Sequence, residues 1–261
     1  MWDPNQYRQF GDERSRAFYE LINRIGASDP HTVADIGCGP GELTADLCRR
    51  WPNADVLGVD SSAEMIAAAS EVLAARSGRL RFERMDAREW EPDEPVDVIT
   101  SNAMLQWVPD NESLVAKWVG YLAEGGWLAF QVPANHDEPT HRLLRELAAT
   151  DRWRDQLSDV ALTRQGANPA DYLDLMAGAG CVVDAWETTY LHVLTGDDPV
   201  LRWISGTGLR PVITTLDGSE REEFLAEYGA LLREAYPAAS YGTLFPFRRV
   251  FVVARRIGVD H

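Results

Sequence analysis

The chain has 261 residues, 45% of them hydrophobic and nine of them Trp, enough for one large domain or two small ones around a substantial core. Twenty-five basic residues against 41 acidic ones give a net charge of −16, which disfavours nucleic acid and anionic membranes as partners. A small anionic ligand stays open if a local cation cluster overrides that field.

Cys38, Cys48 and Cys181 are odd in number and lack CxxC spacing, so a reducing compartment and no metal site are expected. Met1 to Phe10 carries no apolar signal core, and no apolar run reaches the ~18–20 residues that span a bilayer. The expectation is a cytoplasmic protein. Lys117 is the sole lysine, which reads as coding bias.

Taken in chain order, a helix is expected at Arg14–Ile25, with Phe18, Leu21, Ile22 and Ile25 on one stripe. Thr32–Ile36 reads as a short apolar strand that breaks into DIGCGPGE, followed by a helix at Glu42–Arg50. Asp55–Asp60 is a second strand, and Ser61–Arg76 an Ala-rich helix with Ser62 as its cap. Strands follow at Leu80–Arg84, Val96–Ser101 and Gly126–Val132, the last two separated by a helix at Asn111–Leu122. Such alternation predicts a doubly wound, parallel α/β sheet. Beyond it, helices are expected at Glu138–Ala149, Pro169–Ala179 and Ser219–Tyr236, and strands at Cys181–His192 and Arg248–Arg256. About 55 residues separate those last two strands, an excursion long enough to be functional and read here as a helical lid.

Gly37, Gly39 and Gly41 occupy the first strand-to-helix turn, where glycine lets backbone approach a ligand. A dinucleotide fingerprint would need a third glycine at position 42, where Glu42 stands; Asp35 and Pro40 also fit a pyrophosphate poorly. Asp60 closes the second strand, where a carboxylate can accept both hydroxyls of a ribose. Asp86 follows the third strand and Asn102 the fourth, so four strand ends carry glycine or polar groups along one edge.

The ordered set DIGCGPGE, VLGVD, ERMDAREW and VDVITSNAMLQWVPD resembles the motifs of class I S-adenosylmethionine-dependent methyltransferases. The resemblance implies a Rossmann-like, seven-stranded sheet with its last strand antiparallel and a mainly helical insertion before that strand. It also implies S-adenosyl-L-methionine as cofactor, S-adenosyl-L-homocysteine as product, and a cofactor site drawn from Asp35, Gly37, Gly39, Gly41, Asp60, Ser61, Met65, Asp86, Ala87, Asn102, Leu105 and Trp107. Asp60 would hold the ribose, Asp86 and the Ala87 backbone the adenine, and Asn102 the methionine end.

A closer resemblance covers most of the chain. YRQFGDERSR at 7–16, LQWVPD at 105–110, EPTHRLLRE at 138–146, TGLRP at 207–211 and FVVARR near the C-terminus are similar to trans-aconitate methyltransferases. It implies mono-methyl esterification of trans-aconitate, a small polycarboxylate. Candidate acceptor-binding residues are Arg210, His141, His192, Trp203, Arg248 and Tyr7; for Arg202 and Arg249 a solvated surface role and a substrate role stand equally open. Arg14 joins the cofactor set and could fold over it with Tyr7. Another small-molecule acceptor, or a non-catalytic adenosylmethionine-binding role, are the alternatives. One methyltransferase domain is expected, divided into an N-terminal lid or helix (1–30), a cofactor core (31–135) and a substrate side (136–261).

Overall fold

The computed structural model describes residues 11–74, 79–160, 162 and 168–258. They divide into two compact units, one of Met1–Pro133, Asn168–Thr188 and Val250–His261, the other of Ala134–Ala167 and Thr189–Arg249.

Among the described residues the first element is α1 (Gly11–Ile22), whose Phe18, Leu21 and Ile22 are buried as the stripe predicts. It starts before the expected Arg14 and ends before Ile25, which packs from the following turn. Then come β1 (Thr32–Ile36), α2 (Glu42–Arg50), β2 (Asp55–Asp60), α3 (Ala63–Ala74) and β3 (Leu80–Arg84). Next are β4 (Val96–Asn102), a 3-10 turn at Leu105–Trp107, α4 (Asn111–Tyr121) and β5 (Leu122–Pro133). β1 pairs in parallel with β2 and β4, β2 with β3, and β4 with β5. The carboxyl ends of β1 to β4 therefore share one edge. Val33, Ala34, Ile36, Val98, Ile99 and Leu128 are buried, as central parallel strands covered on both faces require.

The later elements are α5 (Pro139–Ala148), α6 (Arg154–Leu157), α7 (Pro169–Gly178) and β6 (Cys181–Leu194). They are followed by α8 (Pro199–Ser205), α9 (Arg210–Thr215), α10 (Gly218–Ala235), the two-residue β7 (Ala238–Ala239) and β8 (Gly242–Arg256). Strand order is β3-β2-β1-β4-β5-β8-β6, with β7 as a short eighth strand paired to β8. β8 runs against β5: the Arg256 guanidinium donates to the Leu122 carbonyl near the start of β5, and Ala134, just past its end, donates to the Arg248 carbonyl. The expected seven-stranded order with its last strand antiparallel is thus present, and three helices and β7 lie between β6 and β8.

β5 and β8 both begin earlier in the chain than the sequence reading placed them, at Leu122 and Gly242. In the second unit the core is aromatic: Trp153 meets Phe224 edge-on at 5.2 Å, and Trp203 meets Phe245 at 5.6 Å. Among the described residues no helix is long and apolar enough to cross a membrane.

Candidate cofactor and acceptor sites

The β1–α2 turn is shaped by its glycines. Gly37 has φ +82°, and a Cβ there would lie 2.3 Å from the Met104 side chain. Gly39 has φ +56°, yet a Cβ there would meet nothing within 4 Å. The first glycine is required by packing and conformation together. The second leaves open space over the backbone, which is what a ligand cradle needs. Gly41 is the N-cap of α2.

Asp60 ties this turn to the next strand. Its carboxylate accepts the Gly39 N–H at 3.0 Å and the Ser62 N–H at 2.9 Å, and burial raises its pKa from the ordinary value. Each oxygen keeps lone pairs for hydroxyl donors. Ser62 caps α3 through its hydroxyl, which accepts the Met65 N–H at 3.3 Å. Ser61 is exposed and Met65 is buried.

Asp86 follows β3 and pairs with Arg88, whose Nε and Nη2 donate at 2.9 and 2.6 Å; that partner holds its pKa down to about 2. Ala87 lies half-buried between them. Asp35 behaves differently. It is 3% exposed and accepts the Thr44 hydroxyl at 2.6 Å and the Thr100 hydroxyl at 3.1 Å. Burial pushes its pKa up to about 6 despite those bonds. Its contacts brace the end of β1 to α2 and β4. Asn102, at the end of β4, accepts a hydrogen bond from Gln131, while Leu105 is fully buried and Trp107 exposed beside it.

All of these lie in the first unit. Arg14 is in α1, but its side chain and all of Tyr7 lie outside the described residues.

The acceptor candidates of the second unit fall into two groups. His141, in the first turn of α5, bonds its neighbour Thr140 through Nδ1 at 3.1 Å. Its Nε2 would touch a Cβ at Gly208 at 3.3 Å. EPTH and GTGLRP are therefore brought together, and half-buried Arg210 opens α9 two residues further on. His192 instead sits among aromatics, 4.9 Å from the Trp203 ring and 6.2 Å from Phe247. Arg248 is fixed through its backbone, its N–H donating to the Asn135 side chain at 2.8 Å and its carbonyl accepting from it at 3.0 Å. For Arg249 the solvated alternative does not hold: it is 3% exposed with its guanidinium 4.9 Å from the Phe247 ring centroid. A burial signal did exist, since Arg248 and Arg249 stand between the apolar runs LFPF and VFVVA of one strand.

A family model described as a methyltransferase domain matches residues 33–126, the segment that carries the strand-end row. Among solved structures, the YcgJ protein of Bacillus subtilis has TM-score 0.61 at 16% identity, covering 94% of this chain and 99% of its own. The geranyl diphosphate C-methyltransferase of Streptomyces coelicolor, solved with S-adenosyl-L-homocysteine, has TM-score 0.52 at 18% identity, covering 93% of this chain and 79% of its own. At those identities the likeness is one of fold. The curated relatives are nearer. The trans-aconitate 2-methyltransferase of Streptomyces avermitilis is 51% identical, covering 98% of this chain and 97% of its own. That of Rhodococcus jostii is 50% identical, covering 98% and 99%. With half the residues shared from end to end, the insertion before the last strand included, the chain belongs to the trans-aconitate 2-methyltransferase family.

Proposed function

We propose that the chain transfers the methyl group of S-adenosyl-L-methionine to one carboxylate of trans-aconitate, forming its monomethyl ester. The observation that carries this reading is the end-to-end identity with relatives of that name, together with the strand-end row in the first unit.

The residues of that row fit such a cofactor. The space over Gly39 admits a ligand against backbone, and the Asp60 carboxylate retains acceptor capacity for a ribose diol. Asp86 stays ionised at neutral pH and would accept from the adenine amine, with the Ala87 backbone beside it. Gly37 and Gly41 shape the turn, Asn102 faces the methionine end, and Ser61, Met65, Leu105 and Trp107 complete the surround, with Arg14 assigned to the same ligand. Asp35 acts through the brace it makes with Thr44 and Thr100.

When bound, that cofactor supplies a methyl carbon activated by a sulfonium, so the acceptor must offer an anionic oxygen. A carboxyl group of pKa ~4 is already ionised at neutral pH, and no side chain has to remove a proton. The chain's work is to orient, which can contribute ~7–11 kcal/mol, and to balance the acceptor's remaining charge. On a protein of charge −16 that balance must be local. Arg210 and Arg248 supply guanidinium forks suited to carboxylates, buried Arg249 adds a third cation, and His141, His192 and Trp203 line the same unit. Tyr7 is assigned to the acceptor as well.

Arg210 provides the test. Arg210→Ala should lower kcat/KM for trans-aconitate by ~2–4 kcal/mol, since an anion loses its partner, and Arg210→Lys should restore part of it. Calorimetric affinity for adenosylmethionine should stay within twofold. Full activity in the alanine variant would remove Arg210 from the acceptor site.

A further inference from the structure

One buried polar side chain has no place in the account so far. Gln131 lies on β5 in the run LAFQV, fully buried among apolar neighbours. An amide in such a place costs ~1–3 kcal/mol unless it is hydrogen-bonded. Its Nε2 donates to the Asn102 Oδ1 at 2.7 Å, in the register that sets Asn102 opposite Gln131. Its backbone carbonyl accepts the Ala103 N–H at 3.0 Å. Ala103 has φ +55°, a left-handed conformation that costs a non-glycine residue ~1–2 kcal/mol. Gln106 holds that strained residue from the other side, its Nε2 donating to the Ala103 carbonyl at 2.6 Å. The end of β4 is thus bent into an unfavourable conformation and bonded there.

The bonding has a consequence for Asn102. With Oδ1 held toward Gln131, the amide is fixed with its NH2, a pair of donors, on the side away from Gln131. Position says what those donors face. Along the order β3-β2-β1-β4, Asp86, Asp60, the glycine turn and Asn102 follow one another at about 4.8 Å per strand, roughly 14 Å in all. With the nucleoside at the β3 and β2 ends, the β4 end meets the amino-acid end of the cofactor. Paired N–H donors complement its α-carboxylate and not its ammonium.

We propose that Gln131 is a positioning residue: it orients Asn102 so that the Asn102 amide N–H groups bind the α-carboxylate of the cofactor. This rests on the strand-end row being the cofactor site.

The experiment titrates S-adenosyl-L-homocysteine and 5′-methylthioadenosine, the same nucleoside thioether without the amino-acid part, into folded variants. Gln131→Met keeps the size but loses the bond. It should weaken S-adenosyl-L-homocysteine about tenfold and leave 5′-methylthioadenosine within twofold. Gln131→Glu offers Asn102 an acceptor, turns its amide over and presents Oδ1 to the carboxylate. Its loss should exceed that of the methionine variant, again for S-adenosyl-L-homocysteine alone. Equal weakening of both ligands, or no weakening in either folded variant, overturns the proposal. If Gln131→Met does not fold, the glutamate variant decides by the same comparison. Asp60→Ala serves as the control for the underlying site, since loss of a ribose partner should weaken both ligands; if it changes neither, the strand-end reading itself fails, independently of Gln131.

Discussion

Three carboxylates stand near one sheet edge, and their surroundings set them apart. Asp86 is kept ionised by Arg88, and Asp60 is partly desolvated but bonded to two backbone N–H groups. Asp35 is the buried one, and burial moves its pKa from 3.8 to about 6. Below about pH 4 it is protonated whether the chain is folded or not. Between that and pH 6 the folded protein retains a proton that the unfolded chain has released, so this group makes stability fall as pH rises through that window. Above pH 6 the loss is complete. Asp35→Asn removes the ionisation, so its unfolding free energy relative to the parent should improve by up to roughly 3 kcal/mol between pH 4 and 7.5. Denaturant melts of both proteins at the two pH values measure this, and a difference independent of pH contradicts it. Nothing local in the sequence announces this brace. Thr44 is nine residues from Asp35 and Thr100 is 65, and both read as ordinary helix and strand threonines. Gln131 was legible in principle, as a lone amide inside an apolar strand, but its partner Asn102 lies 29 residues away.

Among the elements, the glycine turn separates folding from binding. Gly37→Ala would force a β-carbon against Met104 in a left-handed backbone, a clash that small rotamer changes do not relieve. It should cost more than ~2 kcal/mol and lower the melting temperature by several degrees. Gly39→Ala carries only the conformational cost of ~1–2 kcal/mol, because its β-carbon enters open space. That variant should stay folded yet lose most of its affinity for adenosylmethionine. Thermal melts paired with calorimetry distinguish the two, and a Gly39→Ala protein with undiminished affinity would mean that the cradle lies elsewhere. β1 and β2 were readable to the residue as short, mainly apolar runs closed by glycine and aspartate, and β3 by the alternation of Leu80 and Phe82 with charged residues. The start of β8 was not, since Pro246 within LFPF reads as a strand breaker, and Gly125–Gly126 hid the start of β5 in the same way.

For the molecule as a whole, alternation of elements made the doubly wound sheet legible, and ordered motifs made the methyltransferase reading legible. The partition into two units was not, because it depends on which distant segments pack together: Asn168–Thr188 joins the first unit although Ala134–Ala167 before it belongs to the second. The burial of Arg249 became plain only with the fold: it is 3% exposed, with its guanidinium over the ring of Phe247 two residues before it. The reaction as a whole predicts a pH profile. With cofactor saturating, kcat should be flat from about pH 7 to 9, since the acceptor carboxylates ionise near pH 4. A tenfold rise per pH unit in that range would point to an enzyme base.

The most direct measurement follows a labelled methyl group. Purified protein is incubated with methyl-labelled adenosylmethionine and, in parallel, with trans-aconitate, cis-aconitate, citrate and isocitrate. Trans-aconitate should take up label as its monomethyl ester, one equivalent for each S-adenosyl-L-homocysteine formed, with kcat/KM above that of the other three acids. If folded protein saturated with adenosylmethionine transfers no label to trans-aconitate, the acceptor assignment is wrong.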